Sequence, residues 1–186
     1  MSPAGPTPPR ASRARTALVI GRFQPPHQGH IHLLRSAASS AGSLVVAIGS
    51  ADKSHSVRDP FTAGERIRML HAALDEAGIK ATHIIPVDDL GRYALWVAHV
   101  QAHCPPFDLV VTGSPLTERL FRDAGVPVET VETVDRERLE ATSVRARLFR
   151  GEDVTDAVPK RVRDILSEPW ARERIDAVRR AAEGEG

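Results

Sequence analysis

Short runs of consecutive aliphatic residues recur along the chain, separated by amphipathic stretches of helical length. The clearest runs are ALVI at 17–20, LVVAI at 44–48 and the LVV of the segment DLVVT at 108–112. An unbroken aliphatic run is typical of a strand that is covered on both faces. Such strands in alternation with helices predict an α/β domain with a parallel sheet and right-handed crossovers.

The remaining predicted elements follow the same alternation. Two further strands are predicted at 83–87 and 126–134. Hydrophobic spacing and capping patterns predict helices over 30–41, 63–78, 93–103, 115–124 and 143–150, the second opened by a capping box at Thr62 and ended at Gly78. An amphipathic C-terminal helix pair is expected to pack five aliphatic residues against the sheet or a neighbouring subunit: Val162, Ile165, Leu166, Ile175 and Val178. The expected fold is therefore a Rossmann-like parallel sheet flanked by helices, with a C-terminal helical segment.

Length and composition fit one soluble domain. The chain has 186 residues, of which 41% are hydrophobic and 26% charged, enough for one core. Residues 1–15 are rich in Pro, Ala and Arg and have no apolar signal region, so we expect a disordered leader before a single domain at 16–182. No apolar run approaches the roughly 20 residues that span a bilayer.

Net charge and cysteine content limit the classes of binding partner and the cellular compartment that we expect. The net charge of +1 predicts no nucleic-acid or membrane partner, because no whole-protein field would attract one. The single cysteine, Cys104, excludes an intrachain disulfide and a cysteine-based zinc cluster. We therefore expect a cytoplasmic protein.

Unusual residues follow each of the first four predicted strands. Ligands of open parallel sheets bind outside the carboxyl ends of the strands. The segments at these ends are GRFQPPHQGH at 21–30, GSADKSHSVRDPF at 49–61, PVDDLGRY at 86–93 and TGSPLTERL at 112–120. We expect them to converge on one edge of the sheet.

The segment after the first strand has the composition of an anion-binding loop. Gly21 allows a sharp turn, and two prolines stiffen the chain beyond it. His27 and His30 flank Gly29, where the missing side chain would let phosphates approach the start of a helix. Imidazole donors backed by Arg22 would stabilise the charge that grows as a phosphorus–oxygen bond breaks.

The His-x-Gly-His pattern at 27–30 is the signature of the nucleotidyltransferase superfamily, and the chain closely resembles the archaeal-type nicotinamide mononucleotide adenylyltransferases. The stretches that carry the narrower resemblance lie, in order, at 21–30, 48–66, 94–99, 105–121 and 141–153. The resemblance extends from about residue 16 to about residue 177. It implies transfer of AMP from ATP to nicotinamide mononucleotide, giving NAD and pyrophosphate. It also implies Mg²⁺ bound with ATP, and a homo-oligomer.

The resemblance further implies roles for particular residues. The catalytic set that would contact phosphates is His27, His30, Arg58 and Arg145. The nucleotide-binding set is Gly21, Arg22, Phe23, Gln24, Gly29, Gly113, Ser114, Thr142 and Ser143. The acceptor-binding set is Asp89, Tyr93 and Trp96, with Trp96 stacked on the nicotinamide ring. No protein residue is expected to hold a metal.

The threonine at 142 also has a physical reason for its place. It is expected to cap the helix over 143–150 and to direct the first amides of that helix at the triphosphate. Arg145 would then lie one turn inside the helix.

Three residues depart from the pattern of the family. Glu140 replaces Ser, Tyr93 replaces Asn and Ser114 replaces Asn. Glu140 would bring a carboxylate to a phosphate-binding helix, and Tyr93 lies next to the expected nicotinamide pocket. Several alternatives therefore stay open: nicotinate mononucleotide as acceptor, a changed acceptor such as a phosphonate or another phosphomonoester, CTP as donor, and nucleotide binding without turnover.

Overall fold

A parallel sheet forms the centre of the protein. The computed structural model describes residues 14–132 and 141–184. The strands in these ranges are β1 Ala14–Gly21, β2 Ala41–Ile48, β3 His83–Pro86, β4 Leu109–Thr112 and β5 Val128–Thr130. Their order is β3-β2-β1-β4-β5, and every neighbouring pair is parallel. The predicted α/β fold with a parallel sheet is confirmed.

The helices alternate with the strands as predicted, and a helical segment follows the last strand. In the described ranges they are α1 Gln28–Ser40, α2 Ala63–Ala77, α3 Tyr93–His103, α4 Pro115–Asp123, α5 Ala141–Arg150, α6 Lys160–Leu166 and α7 Pro169–Gly184. None of the helices in this part of the chain is long and apolar enough to cross a membrane.

Several predicted boundaries differ from the structure, most clearly those of three strands. β1 begins at Ala14, so two residues of the expected leader belong to the strand, and residues 1–13 lie outside the described ranges. β2 begins at Ala41, the last residue of the helix predicted at 30–41, because Ala41 pairs with Ala14. β5 covers only 128–130 of the predicted 126–134, because among the described strands it pairs with the short β4 alone. Residues 133–134 of that prediction are not described.

Hydrophobic side chains cover both faces of the sheet, as the unbroken aliphatic runs predict. On β1, Val19 points into a cluster with residues of α1, α2, α5 and α6, whereas Leu18 points into a second cluster with α3 and α4. Both side chains are fully buried. Alternate residues of one strand therefore serve two cores, and both faces of the strand are apolar.

The C-terminal helices pack mainly on other helices. Val162, Ile165 and Leu166 of α6 join the cluster that contains the core of α2, and Ile175 packs against the same cluster. α7 contacts α5 and α6. The sequence left the sheet and a neighbouring subunit as the two alternatives; in the structure α6 packs chiefly on α2, in the same hydrophobic cluster as inward-facing residues of the sheet.

The predicted ends of α2 are confirmed. The Thr62 hydroxyl accepts from the Glu65 amide at 3.3 Å, and the Glu65 carboxylate accepts from the Thr62 amide at 2.8 Å. Gly78 adopts the left-handed conformation, with φ of 66°, and ends the helix. Local sequence alone is enough to specify both ends, since every partner lies within one turn.

The carboxylate of Glu76 caps α6. Its two oxygens accept from the backbone amides of Lys160 at 3.0 Å and Arg161 at 2.7 Å. We expect Glu76→Ala to lower the free energy of unfolding by about 1 kcal/mol, because the first turn of α6 loses its acceptor. Urea denaturation measures this, with Asp75→Ala as the control, since Asp75 reaches only the Arg161 guanidinium at 3.9 Å. Equal losses in the two variants would contradict the capping role.

Candidate active site

The carboxyl edge of the sheet between β1 and β4 is the point where the chain changes faces. The helix that follows β1 packs in the first core cluster, whereas the helix that follows β4 packs in the second. The two strands are neighbours, so their outgoing loops leave a crevice between them. The loop after β1 contains the histidine motif, and Gly113 and Ser114 follow β4.

Buried side chains shape the loop after β1. The Gln24 amide donates to the Phe61 carbonyl at 2.8 Å and accepts from the Phe61 amide at 2.9 Å. The Phe23 ring covers Gly21, where a Cβ atom would lie 2.9 Å from the ring. Phe23 and Gln24 are fully buried. Their side chains therefore hold the loop in place, and the Gln24 amide already has both of its partners within the protein.

The two motif histidines stack on each other at the start of α1. Their ring centroids are 3.6 Å apart, and the His30 ring also lies 4.6 Å from the Phe23 ring. The backbone N–H of His27 donates to Nδ1 of His30 at 3.2 Å. Since Nδ1 accepts, the neutral His30 ring carries its proton on Nε2. The Nε2–H group of this tautomer is a hydrogen-bond donor.

The two imidazoles are neutral at pH 7 in the ligand-free protein. Burial, with a smaller contribution from the Arg145 charge, lowers the pKa of His27 to about 4. Burial also holds the pKa of His30 well below its ordinary value, helped by the charges of His27, Arg145 and Arg22. The rings therefore offer neutral donors, and the arginines supply the positive charge.

The first turn of α1 keeps polar groups available to a ligand. The Gln28 amide donates to the Ala157 carbonyl at 2.8 Å, and the His30 amide donates to the His27 carbonyl at 2.9 Å. Within the described ranges, the amide of Gly29 donates to no backbone carbonyl. Nδ1 of His27 is buried and also lacks a partner there. Buried polar groups are normally paired, so this turn has the character of a site that a ligand completes.

An open cleft of about 530 Å³ lies between this loop, the loop after β2 and α5. Its lining side chains are Arg22, Val57, Arg58, Thr142, Arg145 and Ala146. These lining residues include three arginines and no carboxylate, so the cleft favours an anion. Four residues predicted to bind phosphate or nucleotide thus meet around one space.

Arg145 is the most buried of the cleft arginines, with only 6% of its surface exposed. Its guanidinium donates to the Gln24 carbonyl at 3.4 Å and to the Thr142 hydroxyl at 3.3 Å. The first of these bonds ties α5 to the histidine loop. A side chain held at both ends of its fork loses little freedom when a phosphate binds.

The role predicted for Thr142 as a helix cap is wrong. α5 already includes Ala141, so Thr142 lies inside the helix, and its hydroxyl accepts from Arg145. Ser143 follows it in the helix and is half-buried. Ser114 does cap a helix, because its hydroxyl accepts from the Thr117 amide of α4 at 3.3 Å. Glu140 lies outside the described residues.

Two contributors to the site have no counterpart in the sequence prediction. Asp59, 6% exposed, accepts from the Arg22 guanidinium at 3.4 Å. Arg66 of α2 is fully buried and donates to the backbone carbonyls of Arg22 and Gly49, each at 3.0 Å. The available signal was weak, because Asp59 stands beside Arg58 in an exposed-looking loop and Arg66 occupies an ordinary helical position.

The three residues predicted to bind the acceptor nucleotide lie after β3. Asp89 precedes α3, Tyr93 is its first residue, and Trp96 lies in its first turn. Asp89 is exposed and accepts from the Gly91 amide at 3.2 Å, and Tyr93 is 65% exposed. Trp96 is half-buried and meets the Phe121 ring edge to face at 5.7 Å. β2 separates β3 from β1, a distance of about 10 Å. A ligand that reached both the histidine loop after β1 and these three residues after β3 would lie across the carboxyl end of β2.

The described residues contain no cluster of three or more His, Cys, Asp or Glu side chains arranged to hold a metal ion. At the cleft, Asp59 is already engaged by Arg22. The donor set there is cationic and neutral, which suits phosphate oxygens better than a free cation.

The buried His27 should make stability depend on pH. Its pKa is about 4 in the folded protein against 6.5 for a free histidine, so between these values the unfolded chain binds more protons. The contribution of the neutral His27 ring to the free energy of unfolding is fully present above pH 6.5. It is lost as the pH falls from 6.5 toward 4, by about 1.4 kcal/mol per pH unit. We expect urea denaturation of wild type and His27→Gln between pH 7 and 4.5 to show a steeper fall for wild type. Parallel curves would contradict the pKa assignment.

Comparison with known proteins gives this arrangement a context. The cytidylyltransferase-like family model matches residues 18–147. A nicotinamide-nucleotide adenylyltransferase of Methanolobus tindarius is 45% identical over 166 residues, covering 89% of this chain and 92% of the relative. The protein of the same name from Archaeoglobus fulgidus is 41% identical over 169 residues, covering 88% and 94%.

Solved structures share the fold at lower identity. A bifunctional NMN adenylyltransferase/ADP ribose pyrophosphatase of Francisella tularensis, complexed with AMP and Mn ion, has a TM-score of 0.70 and 20% identity, covering 88% of this chain and 52% of that one. A putative nicotinate-nucleotide adenylyltransferase of Vibrio parahaemolyticus has a TM-score of 0.59 and 18% identity, covering 83% and 99%. At these identities the likeness concerns the fold alone.

Proposed function

The chain belongs to the cytidylyltransferase-like family and, with its archaeal relatives, to the nicotinamide-nucleotide adenylyltransferases, and we propose that it transfers AMP from ATP to nicotinamide mononucleotide. The products are NAD and pyrophosphate. The observation that carries this proposal is the convergence of two stacked histidines and three arginines at the carboxyl edge of the sheet. Relatives over 40% identical along nearly the whole chain support the same reaction.

The reaction is an in-line displacement at the α phosphorus of ATP. A phosphate oxygen of the mononucleotide forms a new bond to this phosphorus, and the bond from the phosphorus to the bridging oxygen of the β phosphate breaks. The electron pair of the broken bond leaves with pyrophosphate. The attacking phosphate is already an anion, so the protein needs no general base. Orientation of the two phosphates and neutralisation of charge are its main tasks.

The described residues suit these two tasks. The proton on Nε2 of His30, fixed there by the His27 amide, is a donor to an oxygen that gains charge as pyrophosphate departs. Arg145, Arg22 and Arg58 supply positive charge around the cleft. Because the imidazoles start neutral, they do not add to the repulsion among the arginines before the triphosphate binds.

Mg²⁺ is proposed to enter as part of the ATP substrate. The cationic lining of the cleft fits the oxygens of a triphosphate, and the metal would be coordinated by those oxygens and by water. The AMP and Mn ion complex of the Francisella tularensis protein is consistent with a divalent ion in this reaction.

The acceptor end is proposed to lie beyond β2, where Trp96 would stack on the nicotinamide ring and Asp89 and Tyr93 would lie near its amide. The relatives named for nicotinamide nucleotide support this choice of acceptor. The homo-oligomer and the cytoplasmic location stay predictions.

The direct test is product formation by the purified protein with Mg²⁺. ATP or CTP is paired with nicotinamide mononucleotide, nicotinate mononucleotide or no acceptor, and NAD and pyrophosphate are both quantified. NAD that appears in step with pyrophosphate, and only with ATP and nicotinamide mononucleotide, would establish the proposal. Pyrophosphate release that requires CTP or another phosphomonoester would replace it with a changed substrate, and ATP binding without release would indicate a protein without turnover.

A further inference from the structure

Arg66 is completely buried and forms no salt bridge within the described residues. It lies in the first turn of α2, and none of its surface is exposed. In the described part of the chain its guanidinium has no carboxylate in contact. Burial lowers its pKa from the ordinary value. A buried charge needs many hydrogen bonds to be tolerated, so the partners of this group indicate its purpose.

These partners are all backbone carbonyls. The three guanidinium nitrogens of Arg66 donate to six of them, at distances of 3.0 to 3.4 Å: those of Arg22, Gly49, Ser50, Ala51, Lys53 and Thr62. One carbonyl comes from the loop after β1, four come from the loop after β2, and the last comes from the start of α2 itself. A single side chain thus joins the two loops that border the cleft.

The backbone conformation of the loop after β2 fits its hydrogen bonds to Arg66. Ser50 has a left-handed backbone, with φ of 48°, which costs a residue other than glycine free energy. Its carbonyl and the next ones turn toward the same guanidinium. The bonds to Arg66 offset that cost, so the loop conformation depends on a residue outside the loop.

The far part of this loop carries Arg58. The His55 amide donates to the Pro60 carbonyl at 3.4 Å, and the Ser56 amide donates to the Asp59 carbonyl at 3.2 Å. These bonds close a small turn with Arg58 inside it. Asp59 of the same turn binds the Arg22 guanidinium. The guanidinium groups of Arg22 and Arg58 therefore line one cleft from two loops whose backbones Arg66 joins.

We propose that Arg66 is a positioning residue that sets the places of Arg22 and Arg58 in the cleft without itself touching the substrate. The inference rests on the proposed function for the identity of the nucleotide, but the geometry that carries it is a property of the protein alone. A lysine in its place would keep a positive charge but could not span both loops, because an ammonium lacks the planar fork.

The test is Arg66→Lys, with Arg68→Lys as the matched control. Arg68 lies two residues further along the same helix, is largely exposed and pairs with Glu168. We expect Arg66→Lys to raise the dissociation constant of Mg–ATP, measured by calorimetry, by about tenfold and to lower kcat for NAD formation by a similar factor. The reason is that displaced Arg22 and Arg58 side chains would bind and orient the triphosphate less well. Arg68→Lys should leave both values unchanged.

A double-mutant cycle distinguishes positioning from general destabilisation. In a protein that already carries Arg22→Ala and Arg58→Ala, Arg66→Lys should no longer change the affinity for Mg–ATP, whereas its effect on the free energy of unfolding should persist. An equal loss of affinity in both backgrounds, or none in either, would overturn the proposal. The affinity readout is informative even if wild type forms no NAD, a result that would count against the proposed function alone.

A measurement on wild type covers the case in which Arg66→Lys does not fold. Hydrogen exchange of the arginine Nε–H groups, followed by NMR with and without Mg–ATP, should slow at Arg22 and Arg58 and stay unchanged at Arg66. A slowing at Arg66 on addition of Mg–ATP as large as the slowing at Arg22 would mean that Arg66 contacts the nucleotide and would overturn the positioning role.

Discussion

Replacement of His30 by alanine is expected to lower kcat for NAD formation by about 100- to 1,000-fold, the usual cost of removing one donor to developing charge. The free energy of unfolding should fall by only about 1 kcal/mol, because the rings that His30 stacks on, those of Phe23 and His27, are close to it in sequence. Steady-state kinetics and urea denaturation of the same preparation give the two values.

His32→Ala is the matched control for this variant. His32 lies on the same helix two residues later and is exposed, so its loss should leave kcat near the wild-type value. A His30→Ala protein with near-normal turnover would remove the loop from the chemistry. A large loss of turnover in both variants would point instead to a disturbed α1.

Arg145→Ala is expected to have an effect of similar size, with kcat reduced by about 100-fold or more. The guanidinium is the most buried positive group of the cleft and also connects α5 to the Gln24 carbonyl. Arg147→Ala is the control, since Arg147 lies on the same helix and pairs with Asp156 at 2.6 Å. Equal losses in the two variants would contradict a specific role for Arg145.

Substitution of Arg145 by alanine and by lysine separates the effect of its charge from the effect of its planar shape. The charge of Arg145 contributes to the lowered pKa of His27, so Arg145→Ala should raise that pKa, although burial should keep it below 6.5. Arg145→Lys should keep the pKa near 4 and still lose turnover, because an ammonium cannot bind two oxygens side by side. NMR titration of the His27 ring in the three proteins measures this. An unchanged pKa in Arg145→Ala would show that the charge does not reach the ring.

The order of helices and strands was readable from the sequence because the signals are local. The predicted runs at 17–20 and 44–48 lie in strands, as do residues 109–112 of the run at 108–112, and α2 begins after the Thr62 capping box and ends at Gly78 as predicted. The predictions failed where pairing decides the length of an element. The start of β1 depends on its partner β2, and the shortness of β5 depends on β4, which the residues of a single strand do not reveal.

The candidate site was predictable to the same extent. A dense local motif marked His27, His30 and the neighbouring Arg22, and the resemblance of later segments to the family pointed to Arg58 and Arg145; the fold brings the three arginines to one edge of the sheet. Phe23 and Gln24, predicted to bind nucleotide, also support the loop through their buried side chains. The burial of a side chain depends on residues distant in sequence, so a motif cannot distinguish a support from a contact.

By itself the sequence determined the alternating α/β fold, the family and the position of the histidine motif, because each depends on neighbouring residues or on resemblance along the chain. Only the tertiary structure decided which side chains hold the site together. The bonds from Arg66 to Arg22 and Gly49 join residues 44 and 17 positions apart, and Gln24 meets Phe61 across 37. Contacts at such separations exist only after the sheet has brought its loops to one edge, so no local pattern in the chain encodes them.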